Sequence, residues 1–266
     1  MKFIYDKEYY KNIKTNKKIE LYITVFIKKH FPIYCDDLKV LELLDDASKE
    51  FGPQVNGVAI PGELKIRLKY NLFKSIVEGK CNIERKKQAL CTMYHEMQHI
   101  VNYLELKHFF DLIDSGNQSR YIKHGIKNLL DEYLAAYYAH KAIPQVWSGV
   151  LDAIVNVDKD VKNKKASWQT LYLSTVDIIA WTWAEIRSIY EQEGEDKWAG
   201  ICANIGDDSF RTVLLLFKEA LAAFDNGNKG SYVDKAEKAS IKLLEYVDAD
   251  FDFIKGLEEY ALSKGM

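Results

Sequence analysis

Proline is unevenly distributed along the chain, and this limits where long uninterrupted helices can form. The four prolines are at positions 32, 53, 61 and 144, so residues 145–266 contain none. That segment is also rich in helix formers, with apolar residues at helical spacing from Leu214 to Phe224. We therefore predict an all-helical C-terminal region, 146–266, with breaks at Gly194, Gly206 and Asn226–Asn228.

The middle of the chain has a different pattern. Val55–Ile60 and Leu64–Leu72 are predicted strands, and the second alternates apolar with polar residues as a half-buried strand does. A helix is predicted to begin near Asn82, a good N-cap residue, and another runs from about Ile126 to Ala142. Strands followed by helices indicate an α+β fold.

Three regions follow from these patterns. Residues 1–50 are predicted to be a mostly helical N-terminal segment, and residues 51–145 the α+β core. Residues 146–266 then form the helical extension.

Composition and charge exclude several classes of protein. The net charge of −2 gives no reason to expect nucleic-acid binding. The apolar stretches are too short to span a bilayer, and no apolar signal segment follows the charged N-terminus. The four cysteines are widely spaced and lack a CxxC pair, which argues against a disulfide framework. We therefore expect a cytoplasmic protein with no membrane partner.

The sequence Tyr94–His99 contains an HExxH motif. Four residues advance a helix by about 400°, so His95 and His99 point the same way, one turn apart. Two imidazoles so placed can bind one tetrahedral metal ion and leave room for a third ligand and a water molecule. Glu96 lies beside them and can act as general base toward a metal-activated water. The motif predicts a zinc-dependent hydrolase of the metallopeptidase type.

The third ligand has several candidates. Glu105 lies ten residues after His95, but on a continuous helix it is about 15 Å along the axis and cannot reach the metal. Glu132, on the following helix, would complete a His₂Glu site, and small residues on its helix face would permit close packing. His124, in a loop-like stretch, is the competing third ligand. The oxyanion would be stabilised by His124, His140 or a tyrosine.

These motifs resemble those of zincin peptidases with a glutamate third ligand, the gluzincins, and most closely the ImmA/IrrE-type family. That family pairs an HExxH helix with a later helix reading Glu-x-x-Ala, then an aromatic-Ala pair and a proline. The matching residues here are Glu132, Ala135, Tyr138-Ala139 and Pro144.

The resemblance covers about a third of the chain and implies a zincin-like core with a small antiparallel sheet. In that core His95, His99 and Glu132 would bind Zn²⁺ and Glu96 would be the catalytic base. Members of the family often cleave a repressor or another regulatory protein, so the implied partner is a protein or peptide substrate.

A second resemblance is to SprT-like proteases, which share an HEMxH motif and a later His-Gly, here His124-Gly125. The chain departs from that family in the residues after Gly125 and in lacking a downstream cysteine module. An alternative from another class is a catalytically inactive zincin-like module that keeps its metal and serves as a regulatory or partner-binding protein. The presence of Glu96 favours catalysis, because a purely structural metal site needs no base. The sequence leaves the oligomeric state open.

Overall fold

The computed structural model describes residues 1–45, 56–144, 150–163, 166–189 and 194–247. In this part of the chain the fold is α+β, mostly helical with one four-stranded sheet. The strands are β1 (Lys2–Tyr5), β2 (Val40–Leu44), β3 (Gly57–Ile60) and β4 (Lys65–Lys69). The helices are α1 (Ile13–His30), α2 (Tyr70–Val77), α3 (Ile83–Asp114), α4 (Arg120–Ala142), α5 (Val150–Lys162), α6 (Trp168–Ile189), α7 (Gly194–Ala203), α8 (Asp208–Asp225) and α9 (Lys229–Tyr246).

The chain divides into two compact units. The first comprises Met1–Lys107 and Tyr138–Gln145, and the second comprises His108–Tyr137 and Val146–Met266. Residues 1–50, predicted as a separate and mostly helical segment, belong to the first unit and supply β1 and β2 of its sheet. None of the described helices is long and apolar enough to cross a membrane.

The sheet of the first unit is mixed, which corrects the predicted antiparallel sheet. Its order is β1-β2-β4-β3; β2 is parallel to both β1 and β4, and only the β3–β4 pair is antiparallel. The connection from β1 to β2 runs through the 18-residue helix α1. A crossover of this kind is what a parallel pair requires.

The alternating pattern correctly identifies β4, whose Ile66 and Leu68 are fully buried. The strand predicted over Leu64–Leu72 is too long, because the chain turns into α2 at Tyr70. Tyr70 and Leu72 are buried as predicted, but from a helix. Of the strand predicted at Val55–Ile60, the part from Gly57 onward is confirmed, and Val55 lies outside the described residues.

Helix α3 begins directly after Asn82, whose side-chain oxygen accepts a hydrogen bond from Arg85 N at 2.8 Å. The predicted helix start is therefore confirmed. Met93 and Met97 of α3 are fully buried in the core of the first unit. The core also includes residues of α1, β2 and β4: Ile19, Ile23, Leu41, Leu43, Ile66 and Leu68. The motif helix is thus fixed by its apolar side.

In the second unit the described part of the C-terminal region is helical, as predicted, and α8 packs against α9. The predicted breaks are also found: α7 begins at Gly194, Gly206 precedes α8, and Asn226–Asn228 separate α8 from α9. Asp207 caps α8 by accepting hydrogen bonds from Ser209 N and Phe210 N. The four cysteines are free, as the sequence predicts.

Candidate metal centre

His95 and His99 lie one turn apart on α3, and both are buried, with exposed fractions of 6% and 7%. Their Nε2 atoms are 3.0 Å apart, and the rings are nearly perpendicular, at 86°. Two imidazole nitrogens on one tetrahedral Zn²⁺ are about 3.4 Å apart, given a Zn–N distance of about 2.05 Å. The pair is therefore spaced closely enough to share one ion, and the same spacing allows a ring-to-ring hydrogen bond when no ion is bound.

Glu132 lies on α4, and the structure brings it to the histidine pair. One ligand atom each from His95, His99 and Glu132 lie within 4.8 Å of one another. The set offers two neutral nitrogen donors and one anionic oxygen, a combination typical of catalytic zinc sites. This grouping of three residues is the one the sequence predicts as ligands.

The Glu132 carboxylate is oriented by a neighbour from α6. Trp181 Nε1 donates a hydrogen bond to Glu132 Oε2 at 2.7 Å. An indole N–H can only donate, so this hydrogen bond occupies one lone pair of a carboxylate oxygen. It also restricts rotation of the carboxylate. Such outer partners fix the direction in which a ligand presents its lone pairs.

Further contacts hold the segment of α4 that carries Glu132. The hydroxyl of Tyr133 donates to the carboxylate of Asp225, with distances of 2.7 and 2.8 Å to the two oxygens. Burial, followed by the nearby Asp225 charge, raises the pKa of Tyr133, so the phenol stays protonated as the donor. Burial also raises the pKa of Asp225, against the lowering effect of Tyr133 and Arg187. At the preceding turn, Asn128 Nδ2 donates to Asp177 of α6.

Glu96 is buried beside the histidines, with an exposed fraction of 8%. Gly57 of β3 faces it closely: a Cβ on Gly57 would come within 2.8 Å of Glu96 Cγ and 2.9 Å of Thr92 Cγ2. The absence of a side chain at residue 57 therefore leaves the space that the Glu96 side chain occupies.

The other sequence candidates are placed differently. His124 is exposed and lies within α4, so the prediction of a loop there is wrong; the preceding break spans only the turn before Arg120. Its pKa is lowered by partial desolvation and then by the cations of Lys127 and Arg120. Within the described residues, the metal-ligand grouping does not include His124.

His140 is buried on α4, and its predicted oxyanion role stays a prediction. Glu105 lies on the uninterrupted α3 and accepts a hydrogen bond from the Tyr34 hydroxyl. The helix therefore has no turn after His99, in agreement with the rejection of Glu105 as a ligand.

Comparisons with family models, with curated proteins and with solved structures find no match. The resemblance to gluzincins therefore rests on the motifs of this sequence.

Gly57 and Trp181 are two residues of the site that the sequence motifs do not identify. A glycine within a strand is a sign of close approach by another group, so Gly57 had a usable signal. Trp181 had none, because its relation to Glu132 depends on the packing of α6 against α4.

Proposed function

We propose that this protein is a zinc-dependent peptidase that hydrolyses a peptide bond in a protein or peptide substrate. The observation that carries the proposal is the convergence of His95, His99 and Glu132 beside the buried Glu96. A buried carboxylate that is not needed as a ligand has a specific use in hydrolysis, since a general base must sit next to the attacking water.

The donor set fits Zn²⁺. Two imidazoles and one carboxylate leave one position of a tetrahedral ion open, as a catalytic site requires. When bound, Zn²⁺ would act as a Lewis acid that polarises the scissile carbonyl and makes water acidic enough to react near neutral pH. Two imidazoles and one carboxylate suit several divalent metals, so the identity of the ion as zinc is itself part of the proposal.

The residues of the chain have separate roles in this proposal. The ion is bound by His95, His99 and Glu132. Trp181 fixes the orientation of the Glu132 carboxylate through its hydrogen bond. Glu96 accepts a proton from the attacking water and returns it to the leaving amine.

The sheet offers a surface for an extended substrate. Among the described strands β3 is at one edge, and its Gly57 lies against Glu96. An edge strand presents unpaired backbone groups with which an extended peptide can form hydrogen bonds. A peptide paired along β3 would have its backbone close to the proposed base, which favours a peptide over a small-molecule substrate.

The experiment is a hydrolysis assay on zinc-loaded protein with fluorescently labelled, unfolded casein as the probe. We expect Glu96→Ala to lower the rate by about 10²–10⁴-fold, because the general base is lost. Zinc content should remain unchanged, because Glu96 is not a proposed ligand. Glu84→Ala is the matched control, an exposed glutamate in the first turn of the same helix, and should retain full activity.

Two results would contradict the proposal. Activity that survives Glu96→Ala would exclude Glu96 as the base. A wild-type protein that binds zinc but hydrolyses neither casein nor a diverse peptide library would instead support the inactive regulatory module.

A further inference from the structure

An aromatic cavity of about 300 Å³ lies within the first unit, beside α3. Four aromatic residues contribute to its wall: Phe31, Tyr34, Tyr94 and Tyr138. The rings of Phe31 and Tyr94 are 4.5 Å apart between centroids. Aromatic faces carry partial negative charge, so a wall of this kind attracts a cation as well as apolar groups.

Gln98 lines the same cavity and offers a hydrogen-bond acceptor. Its exposed fraction is 7%, and its Nε2 donates to Asn102 Oδ1 at 3.0 Å. Its amide oxygen has no hydrogen-bond partner among the described residues. An amide oxygen accepts hydrogen bonds only, so it can bind a ligand that carries N–H groups.

Glu105 adds a negative charge at the cavity. It accepts the Tyr34 hydroxyl hydrogen bond and forms no ion pair within the described part of the chain. The cavity-lining residues that the structure describes include no lysine or arginine. His30 is the one basic side chain there, and burial followed by the charge of Lys29 lowers its pKa, so its ring is neutral near pH 7. The cavity therefore has a carboxylate but no cation to balance it.

We propose that this cavity binds an organic cation, namely an alkylammonium or alkylguanidinium group. Aromatic faces surround the charge, the Glu105 carboxylate balances it, and the Gln98 oxygen accepts an N–H hydrogen bond. Such a group ends a lysine or arginine side chain and also occurs in free amines. The volume is at the lower end for small-molecule sites, which suits a single alkyl cation. The proposal goes beyond peptidase activity and requires neither the metal nor Glu96.

The test uses ligand-observed NMR to measure the binding of n-butylammonium and n-butylguanidinium chloride to the full chain. Neutral n-pentanol of similar size is the comparison probe. We expect the cations to bind more tightly than pentanol, and added salt to weaken them. Glu105→Gln should weaken cation binding by about two- to fivefold, the range for an exposed ion pair.

Two further variants test whether the loss of cation binding is specific to the cavity. Tyr138→Leu removes an exposed aromatic side chain and should weaken cation binding by about two- to fivefold as well. Glu84→Gln, on the exposed first turn of α3, should change nothing. Circular dichroism and thermal unfolding confirm that each variant is folded before binding is compared.

A pair of peptides identifies the source of the cation. Acetyl-Ala-Lys-Ala-amide is compared with the same peptide carrying norleucine in place of lysine. Selective binding of the lysine peptide assigns the cavity to a peptide side chain, whereas binding of the free amine alone assigns it to a small amine; both support the cation site. Equal binding of pentanol and butylammonium, no binding of any cation, or cation binding unchanged in both Glu105→Gln and Tyr138→Leu would overturn it.

Discussion

The three proposed ligands are positioned by two different kinds of structure. His95 and His99 are aligned by a single turn of α3, so their 3.0 Å approach follows from local helix geometry. Glu132 is positioned by contacts remote in sequence: Trp181 bonds its carboxylate, and its neighbour Tyr133 bonds Asp225. Two of the three ligands are therefore encoded locally and the third by tertiary packing, and the third should be the more sensitive to distant substitutions.

Among substitutions outside the proposed ligands and base, the largest effect is expected at the tertiary support of Glu132. Trp181→Phe removes the indole N–H that donates to Glu132 Oε2 and keeps an aromatic ring in place. We expect zinc affinity to fall by about 10–100-fold, the range seen when an outer partner of a ligand is lost. Competition with a chelator of known zinc affinity measures the change.

Trp183→Phe is the matched control, on the same helix two residues later. Trp183 is buried, and its Nε1 has no hydrogen-bond partner within the described residues. Zinc affinity should not change in this variant. An equal loss in both variants would mean that packing of α6, and not the Trp181 hydrogen bond, determines the affinity.

A smaller effect is expected where β3 meets Glu96 of α3. Gly57→Ala would place a Cβ within 3.0 Å of Glu96, Thr92 and Leu68, so the Glu96 side chain must move. We expect hydrolysis to fall by about 10-fold or more, because a misplaced base transfers the proton poorly. Bound zinc should be retained.

Gly62→Ala provides the comparison, because a Cβ there meets nothing within 4 Å. Activity should be unchanged in this variant. Full activity in Gly57→Ala would show that Glu96 tolerates displacement and would weaken its assignment as base.

The smallest effect is expected at the start of α8, the helix that ends at Asp225. Asp207→Ala removes the side chain that accepts hydrogen bonds from Phe210 N and Ser209 N. We expect the free energy of unfolding to fall by about 1 kcal/mol, with zinc affinity unchanged. Asp208→Ala, at the adjacent exposed position, should cost less.

The pH dependence of this cap has a definite sign. The backbone hydrogen bond from Phe210 is the main cause that lowers the pKa of Asp207 below 3.8. The stabilisation is therefore present above pH 3.8 and is lost as the pH falls through the folded-state pKa. The stability difference between wild type and Asp207→Ala should shrink on acidification below pH 3.8, as denaturant unfolding would measure; a constant difference would exclude the charged cap.

Local patterns predicted those parts of the fold that local geometry determines. The N-cap at Asn82, the alternation in β4 and the helix breaks near Gly194 and Gly206 depend on neighbouring residues. The parallel pairing of β1 with β2 depends on a partner far along the chain, and nothing in either strand specifies it. The extent of α2 was missed because Tyr70 and Leu72 suit a buried strand as well as a buried helix.

The same distinction applies to the site. HExxH identifies its own residues, because the spacing of two histidines on a helix is a local property. Glu132 could be proposed only from a second motif and a resemblance, since no local rule brings it to α3. Trp181 acts through the packing of α6 against α4, and its role could not be read from neighbouring residues. Gly57 differs, because a glycine in a predicted strand is a local sign of close approach by another group.

The most direct test of the central claim is the metal content of the purified protein after zinc is supplied and excess is removed. We predict one zinc per chain in the wild type, lost in both His95→Ala and Glu132→Ala. Zinc retained in Glu132→Ala would contradict the His₂Glu site and would favour His124, the competing candidate, as the third ligand. A wild-type protein without bound zinc would contradict the metal centre altogether.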